Sequence, residues 1–182
     1  MKIEHLTAGN FITSTWAGGT TTQLYLYPEN GSYANRDFLF RISSATVDLE
    51  ESDFTPLPGV ERYITPLEGS FVLTHPGGAS PVHLPCLSAP YRFPGDIPTH
   101  CVGTATDFNL MLKGCTGTME LHRNTAPIRP GFNSFYAVEN ALFSLGSQQF
   151  EMAKGDLLTI VSDDSAVLEL GDCPTLTCWV QA

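Results

Sequence analysis

Short apolar or alternating runs recur along the whole chain, turn residues separate them, and no run carries the 3.6-residue apolar period of an amphipathic helix. In order they are TTQLYLYP, DFLFRISSATVDL, VERYITPL, SFVLTH, TATDFNLML, TMELHR, NSFYAVE, ALFSLGS, QQFEMA, DLLTIVS, AVLEL and LTCWVQ, twelve expected strands. PENGS, HPGG, SAPYRFPGD, KGCTG, RPGF and AKGD punctuate them, and the chain's sixteen glycines and thirteen prolines are spread along it in short clusters. These residues accept positive φ or preset a turn. The rhythm predicts an all-β chain with little helix, built as barrels or a double-sheet jelly roll.

At 182 residues the chain can bury a substantial core without disulfides or metals. FPGD and AKGD both follow expected strand pairs and end in Gly-Asp, a short echo that suggests two halves. The stretch from Lys113 to about Asn133 has the looser composition of a connection. The expected division is residues 1–113, an N-terminal barrel, and 114–182, a C-terminal barrel, with exchange of strands between the halves left open.

The formal charge of -10 comes with nine basic residues spaced singly along the sequence, so no cationic stripe exists to neutralise phosphates. Nucleic acid is not an expected partner. The acidity also argues against anionic membrane surfaces, and no apolar run nears the roughly 20 residues of a spanning helix. MKIEHLTAGN lacks the apolar core of a secretory signal, which leaves the cytoplasm as the expected location. Cys86, Cys101, Cys115, Cys173 and Cys178 are odd in number and form no CxxC pair, the pattern of reduced thiols.

Catalytic signatures are sparse. No GxSxG elbow is present, and His5, His75, His83, His100 and His122 form no HxH or HxxxH pair, so neither a serine nucleophile nor a metal centre is expected. WAGGTTTQ leads into a strand rather than a helix, which excludes a phosphate-cradling loop. Its glycines suit a sharp turn or a close backbone approach, and Trp16 offers a flat apolar wall with one N–H.

FLFRISSATV is the most informative stretch. Period-2 alternation puts Phe38, Phe40 and Ile42 on one face and Arg41, Ser43 and Ala45 on the other. An arginine inside a barrel is costly unless partnered, so Arg41 needs either an internal aspartate or an anionic ligand. Arg62 opens the next strand, and Asp107 and Asn109 share one face of DFNLML. Convergence of these residues would give two bidentate donors for a carboxylate, neutral hydrogen bonds from Ser43 and Asn109, and an acid to orient one arginine. FPGD reads first as a turn, yet Asp96 and Asp107 together would also provide a carboxylate pair for acid–base chemistry.

The motifs WAGGTTTQLYLYP, FLFRISSATV, FTPLPGVERYITPLEGSFVL, YRFPGDIP and VGTATDFNLMLKG, in that order over roughly residues 5–115, resemble the HutD/Ves family. Residues 116–182 resemble it less distinctly, mainly through AKGDLLTI. The resemblance implies a two-barrel cupin fold, a bicupin. It also implies that Trp16, Gly18, Gly19, Thr20, Thr21, Arg41, Ser43, Arg62, Asp96, Asp107 and Asn109 match family motifs. HutD-like members are associated with bacterial histidine utilisation and a formylglutamate-like carboxylate ligand, and Ves-like members with stress response. The metal motif of the wider cupin pattern is absent: PLEGSFVLTHPGG keeps the glycine turn and a single His75.

The expected function is therefore a metal-free cupin, without cofactor, that binds a small anionic carboxylate in a sensing or regulatory role. Its expected ligand-binding residues are Trp16, Thr20, Thr21, Arg41, Ser43, Arg62, Asp96, Asp107 and Asn109. The alternatives are a metal-independent isomerase or hydrolase of a small carboxylate, and a protein-binding structural module. A homodimer, formed through a sheet edge, is left open.

Overall fold

The computed structural model describes residues 1–78 and 80–182. Among the described residues the regular structure is sixteen strands and one 3-10 turn, at Ala8–Asn10. No helix among the described residues is long and apolar enough to cross a membrane. Two compact units share the chain, one of Ile12–Gly114 and one of Met1–Phe11 with Cys115–Ala182.

In the second of these, β1 (Lys2–Leu6) lies at a sheet edge. The Ile12–Gly114 unit then contains β2 (Ile12–Trp16), β3 (Gly19–Tyr27), β4 (Phe40–Val47), β5 (Glu51–Phe54), β6 (Glu61–Thr74), β7 (Val82–Pro85), β8 (Tyr91–Pro94), β9 (Thr99–Val102) and β10 (Ala105–Leu112). They form one antiparallel, curled sheet in the order β2-β3-β4-β10-β6-β9-β5, with β7 and β8 also on β6. Strand β6 serves several neighbours because it bends. Gly69 has φ +74°, and a Cβ there would strike the Thr104 carbonyl, beside a register shift between Thr106 and Asp107. Ile64, Phe71, Leu73, Leu84 and Phe93 make one core cluster, and Leu26, Phe38, Leu57, Val60 and Met111 another.

The FPGD turn owes its form to its glycine. Gly95 N–H donates to the Val60 carbonyl at 2.7 Å, and Leu57 N–H donates to the Gly95 carbonyl at 2.6 Å. A Cβ on Gly95 would meet both the Leu57 and Val60 carbonyls. Asp96 follows as an exposed side chain.

The other unit continues with β11 (Thr116–Ile128), β12 (Gly131–Ala137), β13 (Ala141–Leu145), β14 (Gln148–Met152), β15 (Leu157–Ser162) and β16 (Ala166–Gln181). Its order is β1-β15-β12-β16-β13-β14, with β11 also on β16, around a core of Phe135, Phe143, Leu158, Ile160 and Leu168. Strand β1 pairs antiparallel with β15, Lys2 opposite Val161 and Leu6 opposite Leu157. Residues 1–11, counted with the first half in the division drawn at Gly114, thus build the sheet of the later residues. Asp156 of the AKGD turn ties the two: its Oδ2 accepts from Ala153 N–H at 3.0 Å and lies 2.8 Å from His5 Nε2.

Two curled antiparallel sheets and almost no helix match the all-β, two-barrel expectation. The strand count differs because VERYITPL and SFVLTH are one strand, as are AVLEL and LTCWVQ, while β1, β2, β5, β7, β8 and β9 had no separate signal.

Candidate functional site

The site grows from the registers of three adjacent strands. Across β4, β10 and β6, Arg41 faces Met111 and Met111 faces Arg62, so the two arginines flank one methionine in a single row. One step along, Asn109 lies opposite Ser43, and one further, Asp107 lies opposite Ala45. Period 2 therefore puts all of them on one face, which lines a cavity of about 310 Å³. Thr21 reaches it from β3, Ser14 and Trp16 from β2, and Tyr33, Asp53, Phe54 and Thr55 from loops and β5.

Four polar side chains of this lumen are almost fully buried: Arg41 is 5% exposed, Arg62 7%, Asp107 3% and Asn109 4%. Arg41 is well held. Its Nε donates to Gln23 Oε1 at 3.0 Å, its Nη1 to Ser43 Oγ at 3.3 Å, and its guanidinium lies 4.0 Å from the centre of the Tyr33 ring. Arg62 contrasts with it, since its Nε has no protein partner and its guanidinium lies against Phe54 and Phe93. Asp107 Oδ1 and Asn109 Oδ1 are likewise buried and unpartnered. Among the described residues neither arginine forms an ion pair, so Asp107 shares the lumen with them without direct contact.

Electrostatics follow from burial. Desolvation lowers the pKa of both Arg41 and Arg62, because a buried cation loses its hydration. For Asp107 burial again dominates and raises the pKa to about 7; Arg62, a backbone N–H bond from Ala45, and Arg41 pull the other way without prevailing. A proton can thus enter or leave this carboxyl near neutrality, and in either state the two buried guanidinium groups outweigh the charge of this one buried acid. One lone donor, Arg62 Nε, and two lone acceptors, Asp107 Oδ1 and Asn109 Oδ1, thus share the lumen with the Arg41 guanidinium.

Not every expected residue arrives. Trp16, Thr21, Arg41, Ser43, Arg62, Asp107 and Asn109 line the cavity. Thr20 does not: alternation turns it away from Thr21, and its Oγ1 donates to Thr46 Oγ1 at 3.4 Å. Asp96 does not either, because the turn leaves it exposed, and the expected Asp96–Asp107 pair is not formed in the lumen. Tyr33 and Phe54 were missed. Tyr33 lies in a loop without periodicity, and Phe54 closes a strand of only four residues.

WAGG has a close-packed explanation. The Trp16 indole folds over Gly18, where a Cβ would collide with it, and at Gly19, with φ +150°, a Cβ would fall on the Thr46 carbonyl. Asp48 N–H donates to the Gly18 carbonyl at 2.8 Å, fastening the turn to the end of β4. Trp16 is 41% exposed and forms part of the cavity rim.

No histidine lines this cavity; His75 and His100 line a second one of about 560 Å³, which shares Asp53 and Phe54 with the first. Among the described residues no group of three or more His, Cys, Asp or Glu side chains is placed to hold a metal ion. The lumenal set also fits a metal poorly, since guanidinium groups only donate and the two carboxylates, Asp53 and Asp107, are joined by no histidine, cysteine or glutamate.

A family model, HutD, matches residues 8–181. HutD from Pseudomonas fluorescens SBW25 shares the fold with a TM-score of 0.80 at 20% identity, covering 100% of both chains. A conserved protein of unknown function from Pseudomonas aeruginosa PAO1 gives 0.87 at 21% identity, again over 100% of both. The bacterial pirin YhhW from Escherichia coli, in complex with nickel(II), gives 0.66 at 10% identity over 98% of each chain, which shows the cupin-like fold. No curated protein sequence matches this one significantly. With the family model spanning nearly its whole length, the chain belongs to the HutD family.

Proposed function

We propose that this chain binds a small carboxylate-bearing metabolite in the Ile12–Gly114 unit, in a sensing or regulatory role. The observation that carries this reading is a pair of buried guanidinium groups without an ion-paired acid, beside unpartnered Arg62 Nε, Asp107 Oδ1 and Asn109 Oδ1. Left alone, such groups oppose folding; a ligand that supplies oxygens to the arginines and donors to both Asp107 and Asn109 satisfies all of them. Each charge-assisted bond contributes roughly 1.5–3 kcal/mol, enough with modest apolar burial for affinities between about millimolar and micromolar. Membership of the HutD family supports a formylglutamate-like carboxylate from histidine degradation as the first compound to try.

A thermal-shift screen against small mono- and dicarboxylates, N-formyl-L-glutamate included, tests the reading. The expected result is a concentration-dependent rise in Tm that Arg41→Ala abolishes. A rise of the same size in a folded Arg41→Ala protein removes the main residue of the proposal.

A second reading, a metal-independent isomerase or hydrolase of such a carboxylate, is favoured by one observation: Asp107, with a pKa of about 7, is suited to give and take a proton. Turnover of a bound carboxylate, lost in Asp107→Asn, would support it.

A further inference from the structure

Buried arginines are usually held by their edges, through N–H bonds to an acid, and those bonds consume the donors a ligand would need. In this lumen no acid among the described residues takes those edges: Arg41 gives only Nε to Gln23 and Nη1 to Ser43, and aromatic rings lie against both guanidinium groups. The Arg62 guanidinium carbon lies 4.8 Å from the centre of the Phe54 ring and 5.2 Å from that of Phe93. The Arg41 carbon lies 4.0 Å from the centre of Tyr33, a ring that also carries Arg36 at 4.4 Å. A guanidinium is planar, with every N–H directed outward in its plane, and the face of an aromatic ring attracts the cation without using any of them.

We propose that Tyr33 and Phe54 are positioning residues of the anion site: they hold Arg41 and Arg62 by their faces and so leave N–H edges available to ligand oxygens. The proposal rests on the reading of this lumen as a carboxylate site. Both rings are fixed by the backbone around them. Tyr33 sits in a loop closed by Ser32 N–H to the Asp37 carbonyl at 2.8 Å and Asp37 N–H to the Ser32 carbonyl at 2.9 Å. Arg36 Nη1 donates back to the Tyr33 carbonyl at 2.6 Å, and the ring packs on the Leu26, Phe38 and Met111 cluster. Phe54 ends β5, opposite Thr99 of β9, and packs on the Ile64 and Phe93 cluster. Arg62 is the sharper case, because no hydrogen bond to its Nε competes with the rings for control of its orientation.

The test uses the purified full chain and two readouts. In the 15N–1H spectrum of arginine Nε–H groups, ring currents of Phe54 and Phe93 displace the Arg62 signal upfield from those of solvent-exposed arginines. Phe54→Leu, which keeps an apolar side chain of similar reach, moves it back toward them, while Phe54→Tyr does not. In calorimetric titrations with N-formyl-L-glutamate, Phe54→Leu and Tyr33→Leu raise Kd by roughly fivefold to thirtyfold. Phe54→Tyr and Tyr33→Phe stay within about twofold of the parent. An Arg62 signal among the exposed arginines in the parent protein overturns the proposal, as do leucine variants with parental spectra and Kd. Absence of binding by the parent to any carboxylate overturns the ligand reading instead, and the Nε–H spectra still decide whether the rings orient the arginines.

Discussion

Arg62 and Asp107 set the energetics of the lumen in opposite ways. Arg62 stays charged despite burial, so its desolvation opposes folding; Arg62→Met should stabilise the free chain by on the order of 1 kcal/mol while abolishing the carboxylate-dependent rise in Tm. Urea melts with and without ligand check both halves of that statement. Asp107 escapes its penalty by taking a proton. Its pKa is 3.8 in the exposed chain and about 7 in the folded one, so between those values the folded protein keeps a proton that the unfolded protein has released. Stability from this group is complete below about pH 4, declines as pH rises toward 7, and is level above that. Asp107→Asn should remove that slope, seen as the difference between parent and variant unfolding free energies from pH 4.5 to 8. The same proton bears on binding: a carboxylate is held more tightly when Asp107 is neutral, so Kd should rise as pH passes through 7. Titrations in buffers of different ionisation enthalpy would register proton uptake on binding. Asp96→Ala, a change at an exposed turn, should leave Kd unaltered.

At the scale of elements, what was legible is what alternation encodes. On β4 the face carrying Arg41, Ser43 and Ala45 could be read directly, as could Asp107 and Asn109 on β10, because each strand has enough residues to establish a period. The same rule shows why Thr20 was misassigned: neighbours on one strand cannot both face the lumen, and Thr21 does. Strands of four residues such as YRFP, VHLP and THCV hold barely one alternation, and in β2 only the end residues Ile12 and Trp16 are apolar and all five are exposed, so no apolar period marked them. Long strands were split for a related reason. Gly69 bends β6, and a register shift near Asn124 and Gly171 interrupts the pairing of β11 with β16, so each long strand looked like two. Convergence of Arg41 and Arg62 on Met111 depends on strand order, which one sequence does not state. The β2–β3 turn gives a sharp element-level test. Gly19→Ala forces φ +150° on a side chain aimed at the Thr46 carbonyl, and should destabilise the chain by about 2–3 kcal/mol in urea melts. Gly18→Ala should mainly displace the Trp16 indole, visible as a change in its fluorescence in a Trp179→Phe background.

On the scale of the whole molecule, the charge balance is uneven in a way that suits an anion receptor. The chain carries a formal charge of -10, yet Arg36, Arg41 and Arg62 gather in or beside one lumen. The other whole-molecule feature is β1. Deleting residues 1–11 leaves the outer edge of β15 without its partner, so amide protons of Leu157–Val161 should exchange faster while those of β10 keep their protection. Hydrogen exchange followed by mass spectrometry would separate the two. The pairing also imposes a timetable on biosynthesis. Lys2–Leu6 emerge from the ribosome roughly 150 residues before their partners, an interval of about 10–30 s at ordinary translation rates. Throughout it the Ile12–Gly114 unit can fold, while the earliest strand waits as an unpaired edge; a chaperone that shields it, or a pause late in translation, would govern how much of the newly made protein escapes misassembly.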